Sequence, residues 1–320
     1  MEYVSLGMKT EQALSITGLT RHQYYYSPRS GKPGVKPSKQ VIRYQNGKKY
    51  SCDNEVVVAR MREIQSNDDL RCGHRRMTDQ IQLQGFKINH KKVYRLMKLN
   101  DLLLQKHVKP TKNYVKHRIV SPTQPLSHLE MDIKFIWVEE YRKHALVLSV
   151  MDIFTRRILN WQVGMSITQH TVKEVFTEVI VDHLQRHDVL SKGIHIEIRN
   201  DNDKRFSAKL VKQFFEENYL NQVFTHPYTP EENGHIESFH NILSKALKRQ
   251  HFDTLQQLEL RLAVFYENYN NHRSHGSLCG LTPFQFFQQW KQGNIERIEL
   301  NNRKVKYKLM IPKYQLSGNE

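Results

Sequence analysis

Apolar and polar positions follow two different periods along this chain, and the change of period divides it. Through residue 127 the apolar positions recur every three to four residues in short runs, the spacing of amphipathic helices. Thr10 to Ile16 and Thr20 to Tyr26 flank Thr17-Gly18-Leu19, with Thr20 placed to cap the second run and Pro28 to end it. Residues 1–27 are therefore expected to form either a small helix-turn-helix or an ordinary helical hairpin. Residues 28–53 open with prolines and glycines among lysines and are expected to be a basic linker. A helical module is expected over 54–100. Asn54 to Gln65 gathers Val57, Met61 and Ile64 on one face, and Gly73 to Gln84 carries Met77, Ile81 and Leu83. After the break at Gly85, Asn89 caps a third helix running to Leu99. Residues 101–127 are a basic, proline-punctuated connector with Lys106, Lys109, Lys112, Lys116 and Arg118.

From residue 128 the period shortens to two. His128 to Val138, Lys143 to Met151 and Arg156 to Val163 are expected as three successive strands. Thr168 to His187 follows as a long amphipathic helix, then a strand from Gly193 to Arg199, a helix from Ala208 to Tyr219 and a short strand from Gln222 to Thr225. After the turn-rich HPYTPEENG, helices are expected from His235 to Gln250, starting at Asn233-Gly234, and from Thr254 to Asn271. This succession is that of an α/β layered sheet, over residues 128–290. In the tail, 291–320, a hairpin is expected to turn at Asn301-Asn302. There Lys304, Lys306 and Lys308 alternate with Val305, Tyr307 and Leu309 to give one basic face.

Charge adds a second division at the same place. The 320 residues carry 49 Lys and Arg against 32 Asp and Glu, a net +17. Residues 1–127 hold 24 of the basic and 9 of the acidic side chains, a net +15, which leaves +2 for the remainder. Such asymmetry suggests a front end that grips nucleic acid, joined to a nearly neutral second part. On the third helix of the front module Lys91, Arg95 and Lys98, with Lys92 beside them, form a basic stripe opposite Val93, Leu96 and Met97. A helix after a glycine turn with such a stripe is suited to lie in the major groove of DNA. No run approaches the roughly 18 apolar residues of a membrane span, and the N-terminus lacks the layout of a secretory signal. Three widely spaced cysteines (Cys52, Cys72 and Cys279) fit a reducing compartment. Cys72-Gly73-His74 is too short for a zinc site, and no glycine loop followed by Lys and Ser suggests a nucleoside triphosphate.

Acids at apolar positions of such a pattern are costly and need a reason. Asp132 stands mid-strand in HLEMDIKFIW, and Asp201 follows the strand IHIEIRN at its carboxyl end, where open α/β sheets place their sites. Glu237 lies in the first turns of the His235 helix, whose buried stripe is Ile236, Phe239, Leu243 and Ala246. If these three carboxylates converge, their hard oxygens suit Mg²⁺, and two such ions can clamp both oxygens of an in-line phosphoryl displacement. Lys245 and Lys248 lie beyond Glu237 where phosphates could pass, and Arg273 and His275 either face DNA or end a polar helix. Asp152 is read as structural. Glu130 shares the face of Asp132 and is placed nearer the exposed start of the strand.

The strings MDIKFIWVEE, ALVLSVMDIFTRRILNWQV, RNDN, PYTPEENGHIESF and NNHRSHGSLCGLTPFQFF, in this order and with 35 residues between Asp201 and Glu237, resemble the DDE transposase and retroviral integrase superfamily. The likeness is strongest to OrfB-type transposases of bacterial insertion sequences, and LRCGHRRMTDQIQLQGFKINHKKVYRLMKLNDL is similar to their helical DNA-binding module. The resemblance implies a ribonuclease-H-like core, a mixed five-stranded sheet with flanking helices, preceded by all-α helix-turn-helix modules. It implies two Mg²⁺ ions (Mn²⁺ as substitute) held by Asp132, Asp201 and Glu237, with cleavage at element ends and strand transfer into target DNA. It further implies a homo-oligomer on paired ends, a small partner protein from an upstream frame, and a place in the cytoplasm on the nucleoid. The family usually has glycine where this chain has Asp203, so an aspartate must tolerate that turn or add charge to the metal site. That departure favours one rival, a decayed, non-catalytic end-binding protein; a second rival is a ribonuclease-H-like nuclease on the same core, against which the basic helix argues.

Overall fold

The computed structural model describes residues 2–27, 37–105, 120–225, 233–300 and 304–316. The expectations for Lys106, Lys109, Lys112, Lys116 and Arg118, for residues 226–232 of the HPYTPEENG turn and for the Asn301-Asn302 turn lie outside these residues. Residues Met1–Lys39 form one unit and Gln40–Glu320 another.

In the first unit α1 (Glu2–Ser5), α2 (Thr10–Thr17) and α3 (Arg21–Tyr24) follow the expected pattern. Gly18 ends α2 at φ 67°, a left-handed conformation that glycine adopts without a Cβ penalty. Thr20 caps α3 by accepting from the Gln23 N–H, and the Gln23 side chain accepts in return from the Thr20 N–H.

The second unit opens with a correction. Residues 40–53 are not linker: β1 (Gln40–Gln45) and β2 (Lys48–Asp53) pair antiparallel. Asn46 and Gly47 join them at φ 50° and 70°, and Asn-Gly is the pair that tolerates two left-handed residues in a two-residue hairpin. Then come α4 (Asn54–Ser66), α5 (His74–Leu83), β3 (Phe86–Lys87) and α6 (His90–Leu99). The strand β3 pairs with β1, so the helical module carries a three-stranded sheet in the order β2-β1-β3. The Asn89 side chain caps α6, accepting the Lys92 N–H at 2.9 Å. Val57, Met61, Met77, Ile81, Phe86, Val93 and Met97 form the core of this part.

The sheet of the remainder contains β4 (His128–Val138), β5 (Lys143–Asp152), β6 (Ile158–Gly164), β7 (Ile196–Asn200) and β8 (Leu220–Phe224), in the order β6-β5-β4-β7-β8. The β6, β5 and β4 strands are antiparallel, while β4, β7 and β8 run parallel. Two helices, α7 (Gln169–Val179), which continues into a π-helical turn, and α8 (Lys209–Glu217), cover one face with Leu129, Met131, Ile133, Ile196 and Ile198. The helices α9 (Gly234–Leu247) and α10 (Leu255–Glu267) cover the other, over Val138, Ala145, Val147 and Met151. The sequence reading did not foresee α11 (Pro283–Lys291), although Thr282 caps it in a box with Gln285 and Pro283 sits in its first turn. The tail forms β9 (Ile295–Leu300) and β10 (Lys304–Leu309), paired antiparallel. Tyr307 and Leu309 pack onto Phe154, Phe286 and Trp290, while Lys306 and Lys308 stay exposed.

Candidate active site

Strand alternation decides which side chains meet. Odd-numbered residues of β4 enter the core under α7 and α8, so Glu130 and Asp132 point to the face under α9. In β7, Ile196 and Ile198 likewise leave Glu197 and Arg199 on the α9 side. The parallel register pairs Leu129 with Ile198 and Glu130 with Arg199; carried two residues on, it sets Asp132 beside Asp201. The electrostatics agree with that placement. Burial raises the Asp201 carboxyl above its ordinary value; the Asp203 N–H opposes the shift and the charge of Asp132 adds to it.

The other side of the site is the first turn of α9. The Ile236 N–H donates to Glu130 Oε2 at 2.7 Å. One turn further, His240 Nδ1 lies 3.2 Å from Asp132 Oδ2, and the Ile133 N–H donates to Asp132 Oδ1 at 2.8 Å. Glu237 precedes His240 by three positions and so shares its side of the helix. Burial pushes the Glu130 carboxyl up to about 7. The Ile236 N–H, Arg156 and Arg199 oppose that rise, and the charge of Glu237 adds to it. Asp132 and Asp201 are thus adjacent, and Glu237 enters from the helix that Glu130 and His240 seat on β4. Among the described residues, no three His, Cys, Asp or Glu side chains are already arranged to hold a metal ion. The donor chemistry nonetheless fits a hard divalent cation, because carboxylate oxygens are hard ligands and the charge of Asp132 beside the partly buried Asp201 is one that a cation would offset.

Three expectations change. Glu130 is not at an exposed strand start but fully buried, because α9 closes over that end of β4. Asp203 carries no left-handed backbone; its carboxylate is held by Arg205, whose N–H and Nε donate to Oδ1 at 2.9 and 2.8 Å. Its charge is therefore directed at Arg205, which holds the Asp203 carboxyl below the usual range. Arg273 does not face solvent. It donates to the Asp69 carbonyl and is buried; His275 beside it is half-buried with its Nε2 enclosed, and its pKa falls to about 3. Asp152 is fully buried and accepts from the Leu126 N–H at 3.1 Å and the Thr155 N–H at 3.1 Å.

Of the basic residues, Lys91, Lys98, Lys245 and Lys248 are exposed and Arg95 is half-buried. The Lys92 ammonium donates to the Gln40 carbonyl at 2.7 Å, which ties it to the start of β1. Glu130 and His240 are what sequence reasoning missed as parts of the site. Each sits at a legible offset, two residues from Asp132 along the strand and three from Glu237 along the helix, but their burial depends on the packing of α9.

Comparison with known proteins follows this geometry. An HTH-like domain matches residues 51–110, and two descriptions of an integrase core domain match residues 122–230 and 218–283. The chain is 24% identical over 251 residues to the insertion element IS407 uncharacterized 31.7 kDa protein of Burkholderia multivorans, covering 78% of this chain and 86% of that one. It is 26% identical over 246 residues to the putative transposase InsK for insertion sequence element IS150 of Escherichia coli, covering 73% and 83%. Among solved structures, a chain of the simian T-cell lymphotropic virus intasome in complex with PP2A regulatory subunit B56 gamma aligns at a TM-score of 0.46 with 14% identity, over 71% of this chain and 72% of that one. The chain thus carries an HTH-like domain ahead of an integrase core domain, and over about three quarters of its length it is similar to insertion-element proteins, among them a putative transposase.

Proposed function

We propose that this chain is the catalytic transposase of an insertion sequence, cutting DNA at the element's ends and joining the freed 3′-hydroxyl to target DNA. The observation that carries the reading is the placement of Asp132 beside Asp201, whose carboxyl is raised by burial and further by the charge of Asp132, beneath the helix that bears Glu237. Bound Mg²⁺ or Mn²⁺, two ions held by Asp132, Asp201 and Glu237, would supply Lewis-acid stabilisation of charge on the phosphate oxygens. The chain's own residues prepare that site. His240 and the Ile133 N–H fix the two oxygens of Asp132, and the Asp203 N–H orients Asp201. Glu130 anchors the turn from which Glu237 projects. Burial on the sheet side leaves the solvent side of the carboxylates for a phosphodiester.

Lys91, Arg95 and Lys98 on α6 are proposed to grip the element end, and Lys245 and Lys248 to hold the strand near Glu237. Two copies on paired ends, and a small partner from an upstream frame, complete the proposal. It acts in the cytoplasm on the nucleoid, and no helix of the described residues is long and apolar enough to cross a membrane. The end-binding alternative drew its support from Asp203, and the ion pair of Asp203 with Arg205 on an unstrained backbone removes that support. The test uses purified full-length protein, a duplex carrying the element's inverted repeat, and Mg²⁺. Nicking and strand joining are expected from the native chain. Asp132→Ala, Asp201→Ala and Glu237→Ala should each abolish both while retaining end binding, and full activity in any of them overturns the assignment.

A further inference from the structure

The second part of the chain is nearly neutral, a net +2, so cations gathered there stand out from their background. One such group forms where the β5–β6 turn, the segment after α7 and α11 meet. The Arg157 guanidinium carbon lies 5.5 Å from the ring centre of Phe284 and 5.9 Å from that of Phe287. Lys291 Nζ lies 5.6 Å from the same Phe287 ring, against which His187 packs at 5.0 Å between centroids. Arg186 completes the group. Burial, then the charges of Lys291, Arg157 and Arg186, pulls His187 below its ordinary value, so at neutral pH its ring acts as a flat neutral surface between three cations.

The facing acids do not neutralise this group. Asp152, the acid whose charge acts on Arg157, is fully buried and taken up by the N–H groups of Leu126 and of Thr155 in its own turn. Among the described residues Arg157, Arg186 and Lys291 form no ion pair. A single long side chain lying on an aromatic ring is explained by covering it. Two cations from separate elements laid on two adjoining rings, with the charge of a third acting on the His187 ring between them, are not, since like charges held together raise the free energy until an anion joins them. The segment after α7 belongs to the sheet face opposite α9, which sets the group apart from the carboxylates.

We propose that Arg157, Arg186 and Lys291, with Phe284, Phe287 and His187 between them, form a second DNA-binding site, which holds the phosphate backbone of a duplex other than the stretch lying at Asp132 and Asp201. The inference rests on the reading that the chain acts on DNA. Arg186 and Lys291 are exposed and touch none of the proposed catalytic residues. The test is metal-free binding of the full chain to a fluorescent DNA duplex of arbitrary sequence across a salt series. Each phosphate contact contributes about 0.9 to the slope of log affinity against log salt. R186A/K291A is therefore expected to lower that slope by nearly 2 and to weaken binding about tenfold at low salt, with nicking of the end duplex retained at saturating protein. The control is R142A/K143A, which removes the same charge from the β4–β5 turn beside Glu139 and Glu140, and it should change the slope by less than half as much. An unchanged slope in R186A/K291A, an equal fall in the control, or a fall seen with an RNA duplex but not with DNA overturns the proposal. Because no metal is present, loss of the carboxylate mechanism would leave these results intact and is detected separately by the cleavage assay.

Discussion

His275 shows how far a side chain can be removed from its sequence-level reading. In the run YNNHRSH it looks like part of a polar helix end, but it is packed against Tyr269 and held near neutrality of charge by burial and by Arg273, Arg76 and Arg156. The sign of the consequence follows. The folded state binds this proton only near pH 3, whereas the unfolded chain binds it near 6.5. The contribution is therefore complete above pH 6.5 and is lost as pH falls from there towards 3, at up to about 1.4 kcal/mol per pH unit. Denaturant unfolding between pH 6.5 and 4.5 should show that slope, and His275→Phe should flatten it; an identical slope in the variant would remove His275 as the cause. Neither this burial nor that of Arg273 was legible locally, because the groups that cover them come from residues about two hundred positions away, Asp69 and Arg76.

At the scale of elements the sequence was most informative where one periodicity acted alone. Strand β4 has the predicted limits, His128 to Val138, because its alternation is uninterrupted. The hairpin β1–β2 was missed although Asn46-Gly47 announces it, since the prolines and lysines before residue 40 masked a strand pair whose outer side chains are mostly exposed. The seat of α9 was half legible. Its apolar stripe was readable, but the carboxylate that caps its first turn belongs to a strand more than a hundred residues earlier. That seat predicts a graded effect. Glu130→Ala removes the acceptor of the Ile236 N–H and the nearby counter-charge of Arg156, and should cost about 2–4 kcal/mol in denaturant unfolding. Glu130→Gln keeps an acceptor and should recover at least half of that loss; equal losses would show that the cap contributes nothing.

Across the whole second unit, the front module and the integrase core are one compact body rather than beads on a linker. The Asp69 carboxylate, between α4 and α5, accepts from Arg261 and, at 2.9 Å, from Asn268 Nδ2, while Arg273 takes its carbonyl. A second tie joins Asp79 of α5 to Lys313 of the tail, where Gly280 (φ 77°) approaches so closely that a Cβ would overlap both charged ends. Asp69→Ala strands Arg261 and Asn268 without their carboxylate acceptor and should cost about 3–5 kcal/mol, with proteolytic release of the front module before the core unfolds; a single unchanged transition would contradict the clamp. This junction keeps the basic stripe of α6 in fixed relation to the carboxylates. The most direct test of that central site is Mn²⁺ titration of the full chain, followed by electron paramagnetic resonance. Asp132→Asn, Asp201→Asn and Glu237→Gln should each weaken Mn²⁺ binding at least tenfold with the fold retained, whereas native-like binding in all three would contradict the account.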